Sequence, residues 1–159
     1  MKSPSAYEIA LRLVCLIFAF LSLFAQTPQI SAVTKSPGDK VTLDISAKSQ
    51  PKRAPIALHW EVTFPAQLMQ MDGDPEAGPV AVNSGKALHC HNESPYSYAC
   101  VLSGGQNPIA DGQIAIFHFR ILATAKTATI ALKIVKAVAV SSDSKVVSLN
   151  DTQVTVVIR

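Results

Sequence analysis

The chain has 159 residues and a formal net charge of +3 at neutral pH, and 48% of its residues are hydrophobic. With so small a positive charge, we expect neither a nucleic acid nor an anionic membrane surface as partner. The roughly 130 residues that follow the N-terminal segment are enough for one domain with a single core.

Residues 1–25 have the pattern of a secretory signal. A basic start with Lys2 and Arg12 leads into the apolar run of residues 11–25, and a polar break follows. The run is shorter than the roughly 20 residues that span a bilayer. Leu23 is large for its place before a cleavage site, so an uncleaved signal anchor is the alternative. We expect a secreted, periplasmic or cell-surface protein whose only membrane contact would be that anchor.

Beyond this segment the hydrophobic pattern has period two. Residues 26–37 form an extended lead-in, and "PGDK" is a turn. Residues 41–47 and 57–64 then alternate apolar and polar side chains, which is typical of half-buried antiparallel strands. In the second stretch the side chains predicted to face the core are Leu58, Trp60, Val62 and Phe64.

Later segments continue the same pattern. Strands are predicted at residues 80–83, 88–92, 96–103, 113–122, 127–140 and 152–159, with 127–140 as one long bent strand or two short ones. Eight or nine antiparallel strands with short links indicate an all-β, two-sheet β-sandwich over residues 38–159. Because the last strand closes the sequence, we expect a single domain that engages its partner in trans.

Two cysteines lie in the stretch "HCHNESPYSYAC", residues 89–100. Cys90 and Cys100 lie symmetrically about Pro95, so a hairpin that turns there brings them opposite each other, close to the spacing of a disulfide. Cys15 lies in the signal and would be removed with it, and the even pair that remains in an oxidising compartment also indicates a disulfide. The alternatives are free thiols and metal ligation.

The neighbouring histidines share one side of the predicted strand. His89 and His91 point away from Cys90, because side chains alternate along a strand. A metal site would need a third ligand such as His59 or His118, and we interpret the pair as outward polar positions instead. We expect no metal or other cofactor. We also expect no enzyme, since an oxidised Cys90 is no nucleophile and no catalytic motif is present.

Three stretches resemble the cohesin domain, the jelly-roll module of cellulosomes and related bacterial surface proteins. They are "SPGDKVTLDI", "LHWEVTFPAQL" and "ADGQIAIFHFRIL", and in order they span about residues 33–159. The chain departs from the family where Phe64-Pro65-Ala66 replaces the usual Tyr-Asp-Pro. The resemblance implies a non-catalytic module that docks a dockerin-like or other extracellular protein domain.

The resemblance also implies where that partner binds. It points to the outward residues of the second strand, and parity adds outward residues of the hairpin. The predicted partner-binding residues are Ala57, His59, Glu61, His89, His91, Ser97 and Val101.

The alternative function is a carbohydrate-binding module linked to polysaccharide breakdown. Such a module stacks sugar rings on a row of exposed aromatic side chains. Parity places Trp60 and Tyr98 inward, and Tyr96 beside the turn is the one aromatic residue expected at the surface. Protein docking is therefore favoured over polysaccharide binding.

Overall fold

The computed structural model describes residues 33–49, 54–126 and 128–159. The predicted signal, residues 1–25, lies outside these ranges, and so does the first part of the lead-in. In the described ranges, no helix has the length and apolar character needed to cross a membrane.

Eleven strands and one short helix make up the described part of the chain. They are β1 (Val33–Lys35), β2 (Lys40–Ala47), β3 (Pro55–Thr63), β4 (Met69–Met71), β5 (Glu76–Ala77), α1 (Pro79–Asn83), β6 (Ala87–Ser94), β7 (Ser97–Ser103), β8 (Gly112–Ile121), β9 (Ala128–Ser141), β10 (Val146–Ser148) and β11 (Thr152–Ile158). Strands β1, β4, β5 and β10 have only two or three residues. These four strands were not predicted, and the one predicted over residues 80–83 is a helix, so the eight strands predicted with 127–140 as one become eleven.

The strands form two sheets around one core. The larger sheet has the order β1-β11-β9-β3-β7-β6, with β10 beside β9. The smaller sheet has the order β2-β8-β4, with β5 beside β8. All pairs are antiparallel except β1 and β11, which run parallel. The predicted all-β, two-sheet sandwich is confirmed.

Alternate residues of the strands supply the core, as the period-two pattern predicts. Trp60 and Val62 of β3 are buried, and so are Phe117 and Phe119 of β8. The ring of Phe64 meets that of Phe119 edge-on, with centroids 5.2 Å apart. The predicted inward orientation of β3 is therefore confirmed.

The strand predicted over residues 80–83 is wrong, because this segment belongs to α1. Gly78 lies so close to β8 that an added Cβ would come within 2.5 Å of a backbone oxygen there. Pro79 follows at the start of the helix, where its missing N–H leaves no hydrogen bond unmade. The helix buries Ala81 and leaves Val82 exposed.

Strand β9 is continuous over 14 residues and contains a bulge. Its register with β3 shifts between His59 and Glu61, and Lys136 at this point has a φ of 52°. Before the bulge Leu132 faces the core, whereas after it Ala137 does. The bulge therefore reverses which residues of the strand face outward.

Candidate functional site

The hairpin of β6 and β7 carries the predicted disulfide. Cys90 is the register partner of Cys100, and their sulfur atoms are bonded at 2.05 Å. Cys100 is fully buried, so the bond lies on the core side of the hairpin. The predicted disulfide is confirmed, and His89 and His91 point to the opposite side, where both are exposed.

That opposite side is part of a continuous surface formed by β6, β7, β3 and β9, called the outer face below. One row of side chains crosses all four strands. His89 pairs with Val101, Val101 with His59, and His59 with Val138. Val101 is 39% exposed. The sequence predicted the first three of these residues as neighbours on one surface, and the structure brings them together.

A second row extends the apolar part of the outer face. Ala57 pairs with Val140, which in turn pairs with Val146 of β10. Val146 is 68% exposed, which is high for a large apolar side chain. The half of the outer face formed by Val101, Ala57, Val138, Val140 and Val146, with His59 among them, is called the apolar half below.

The other half of the outer face is polar and more tightly covered. Glu61 is only 7% exposed, because Lys136 lies over it with Nζ 2.7 Å from Oε2. Ser97 is buried as well, and its hydroxyl lies 2.8 Å from that of Ser94. Glu61 and Ser97 therefore share the predicted face without being open on it. Their part in partner binding stays a prediction.

Three side chains hold the bulge at Lys136. Besides the ion pair with Glu61, the Lys136 amide N–H donates to Asp151 Oδ1 at 3.2 Å, and His59 Nδ1 lies 3.3 Å from the Lys136 carbonyl oxygen. The Lys136 ammonium group holds the pKa of Glu61 below its ordinary value, and Glu61 raises the pKa of Lys136. The sequence analysis predicted one bent strand or two short ones over residues 127–140, but it did not locate the bulge and so did not single out Lys136.

We expect the Glu61–Lys136 pair to make stability depend on pH. Because the folded state lowers the pKa of Glu61, the ionised carboxylate stabilises it above the ordinary glutamate pKa of about 4.3, and this contribution is lost as the pH falls through the folded value. Glu61→Gln should therefore lower the free energy of unfolding at pH 7, and the difference from the native protein should shrink below about pH 4.3.

Urea unfolding of both proteins between pH 7 and pH 3 measures this difference. Glu93→Gln is the matched control, since Glu93 lies on the same face in an exposed pair with His91 and should contribute little at any pH. A Glu61→Gln difference that stays constant down to pH 3 would contradict the stabilising role of the ionised carboxylate.

The histidines do not assemble a metal site. His118 lies in the smaller sheet, with Nε2 3.7 Å from Glu76. His59 is separated from His89 by the strand that carries Val101. Among the described residues, no group of three or more His, Cys, Asp or Glu side chains is placed to hold a metal ion.

Aromatic side chains do not form a surface platform in the described part of the chain. Trp60 is buried, Tyr98 is half-buried, and Tyr96 is the one aromatic residue that is strongly exposed, at 57%. A single ring beside a turn offers no row on which successive sugar rings would stack. The geometry does not favour the carbohydrate-binding alternative.

Solved cohesin structures share this fold. The sixth cohesin of scaffoldin B from Acetivibrio cellulolyticus, solved in complex with a mutant dockerin, has a TM-score of 0.69 and 19% identity, over 80% of this chain and 94% of that chain. A type I cohesin–dockerin complex from Clostridium thermocellum gives 0.70 and 15%, over 82% and 96%. A non-cellulosomal cohesin from the archaeon Archaeoglobus fulgidus gives 0.65 and 16%, over 85% and 92%.

Comparisons of the sequence also point to the cohesin family. Among curated proteins, none matches the chain. The family model for the cohesin domain, by contrast, matches residues 27–158, which is most of the chain and includes both sheets and every residue of the outer face. The chain therefore belongs to the cohesin domain family.

Proposed function

We propose that this protein is an exported docking module that binds a dockerin-like domain through its outer face. Cohesin domains are non-catalytic modules for protein–protein docking. The solved complexes from Acetivibrio cellulolyticus and Clostridium thermocellum, both with dockerins, support a partner of that class. The signal-like residues 1–25 support export.

The observation that carries this proposal is the exposure of the apolar half. Val101 and Val146 are large apolar side chains on a sheet surface, and water covers them in the free domain. Covering such side chains with a partner contributes roughly 25 cal/mol for each square ångström of apolar surface removed from water. His59 and His89 flank Val101 and supply groups for directional hydrogen bonds.

The test is a charge placed in the apolar half. The double variant Val101→Asp, Val146→Asp should bind a dockerin partner about 100-fold more weakly, because interfaces take most of their energy from a few central apolar contacts and a buried carboxylate without a partner is costly. Purified dockerins, including the one in the Clostridium thermocellum complex, are titrated calorimetrically against both proteins. Thr42→Asp, an exposed position on the smaller sheet, is the matched control and should bind as the native domain does.

Two results would contradict the proposal. If the folded double variant keeps the native affinity while Thr42→Asp loses it, the docking surface is on the smaller sheet. If the native domain captures no dockerin and no protein of the extracellular fraction but sediments with an insoluble polysaccharide, docking is not its function.

A further inference from the structure

The backbone at Lys136 has a positive φ of 52°, which is rare for a residue other than glycine. A non-glycine residue with positive φ is strained and persists where its surroundings enforce it. Here Glu61, His59 and Asp151 enforce it together, from β3 on one side and the segment before β11 on the other. The result is a lysine held at a fixed place in the middle of the outer face.

The side chain of Lys136 is nevertheless open to solvent. It is 71% exposed, whereas the Glu61 carboxylate beneath it is almost covered. An ammonium group has three N–H donors, and Glu61 is its one ion-pair partner among the described residues. The ammonium group is the more exposed partner of the pair, so the pair presents its positive end to whatever covers this point of the face. The exposed carboxylate of Glu93 on the same face acts on Lys136 through space and forms its ion pair with His91 instead.

A second exposed cation lies close by. Lys133 faces outward from β9, where it pairs with Thr63 of β3. The bulge lies beside Glu61, which precedes Thr63 by two residues on the same strand. Two residues of a strand cover about 7 Å. A partner that covers the polar half of the outer face removes water from the N–H donors of these lysines. This desolvation is costly unless the partner offers hydrogen-bond acceptors, and a carboxylate is the acceptor that offsets the cost best.

We infer that Lys136 is a specificity-determining contact of the outer face, and that the partner presents an aspartate or glutamate to its ammonium group. This inference rests on the proposed docking function and adds the chemistry of the partner to it. The partner surface then has two parts, an apolar patch over Val101 and Val146 and an acidic position over Lys136.

The experiment uses a displayed library of the dockerin from the Clostridium thermocellum complex, with its surface positions randomised. It is selected against the native domain and against the double variant Glu61→Gln, Lys136→Gly. Glycine takes a positive φ without strain, so the bulge is kept, and glutamine leaves no unpaired charge under the surface. Lys40→Ser is the matched control, because it removes one exposed cation from the smaller sheet, away from the outer face.

Clones selected on the native domain should be enriched in Asp or Glu at one position. They should bind the double variant about tenfold more weakly or worse, and Lys40→Ser within about threefold of the native domain. Replacing the enriched acid by Asn should weaken binding to the native domain but not to the double variant, a coupling that a purely architectural bulge would not produce. The inference would be overturned if the ratio of the affinities for the native domain and the double variant were the same whether the clone carries the acid or Asn.

A charge exchange gives a second, independent arm. The variant Glu61→Lys, Lys136→Glu keeps opposite charges at the two positions and exposes a carboxylate instead of an ammonium group, and clones selected on it should carry Lys or Arg. Acidic clones selected on this variant, or native-selected clones without acidic enrichment, would overturn the assignment of Lys136 and leave docking intact. A library that yields no binder to the native domain would overturn the proposed function and this inference with it.

Discussion

Replacing Phe119 with alanine is expected to lower the free energy of unfolding by about 3–5 kcal/mol. Phe119 is fully buried between the two sheets, and its ring lies 5.2 Å from that of Phe64 and 6.4 Å from that of Phe117, between centroids. Alanine would lose the burial of the ring and leave a cavity that the paired strands around it fill only in part.

Urea unfolding followed by circular dichroism measures this loss. His118→Ala is the matched control, because His118 is the next residue on β8 and points away from the core with partial exposure. It should lower the free energy of unfolding by less than about 1 kcal/mol. Equal losses for the two variants would show that the space between the sheets is not the packed core described here.

Breaking the bond between Cys90 and Cys100 is expected to lower the free energy of unfolding by about 2–3 kcal/mol. The bond joins residues ten positions apart, and in the chain-entropy model closing so short a loop restricts the unfolded chain by that amount. Unfolding with and without reductant measures the effect in the native protein.

The double variant Cys90→Ala, Cys100→Ala is the control for the reductant. It should be less stable than the oxidised protein and should not respond to the reductant at all. Quantitative alkylation of both thiols in the exported native protein, without reductant, would contradict the disulfide.

Local pattern was enough to predict the sandwich and the disulfide, because both follow from the alternation of side chains along single strands. The alternation through Trp60 and Val62 predicts their inward orientation from a few residues of sequence, and the symmetry of Cys90 and Cys100 about Pro95 needs only one hairpin. The same rule failed at Val80 and Val82, because the helix there depends on the close approach of Gly78 to β8. That approach is a tertiary contact.

Some residues of the outer face could likewise be predicted from the sequence, and others could not. His89 and Val101 belong to one hairpin, so parity anticipated that they share a face, and the resemblance to cohesin domains added His59. Val138 and Val146 could not be anticipated, because which strand lies beside β3 is decided by pairings between distant segments. The bulge at Lys136 also reverses parity within β9, so alternation counted from Leu132 would place Val138 in the core.

The position of β11 has a consequence for how the chain folds. β11 lies between β1 and β9, and its parallel pairing with β1 joins Val33 to Val156, 123 positions apart in sequence. Contacts between such distant segments must overcome the entropy of closing a long loop before they stabilise anything, so domains rich in them fold slowly, in milliseconds to seconds. A growing chain in which β11 has not yet been synthesised leaves one edge of β9 without its main partner and β1 with none. The pairing of β1, β11 and β9 in the larger sheet therefore forms only after synthesis of the domain is almost complete.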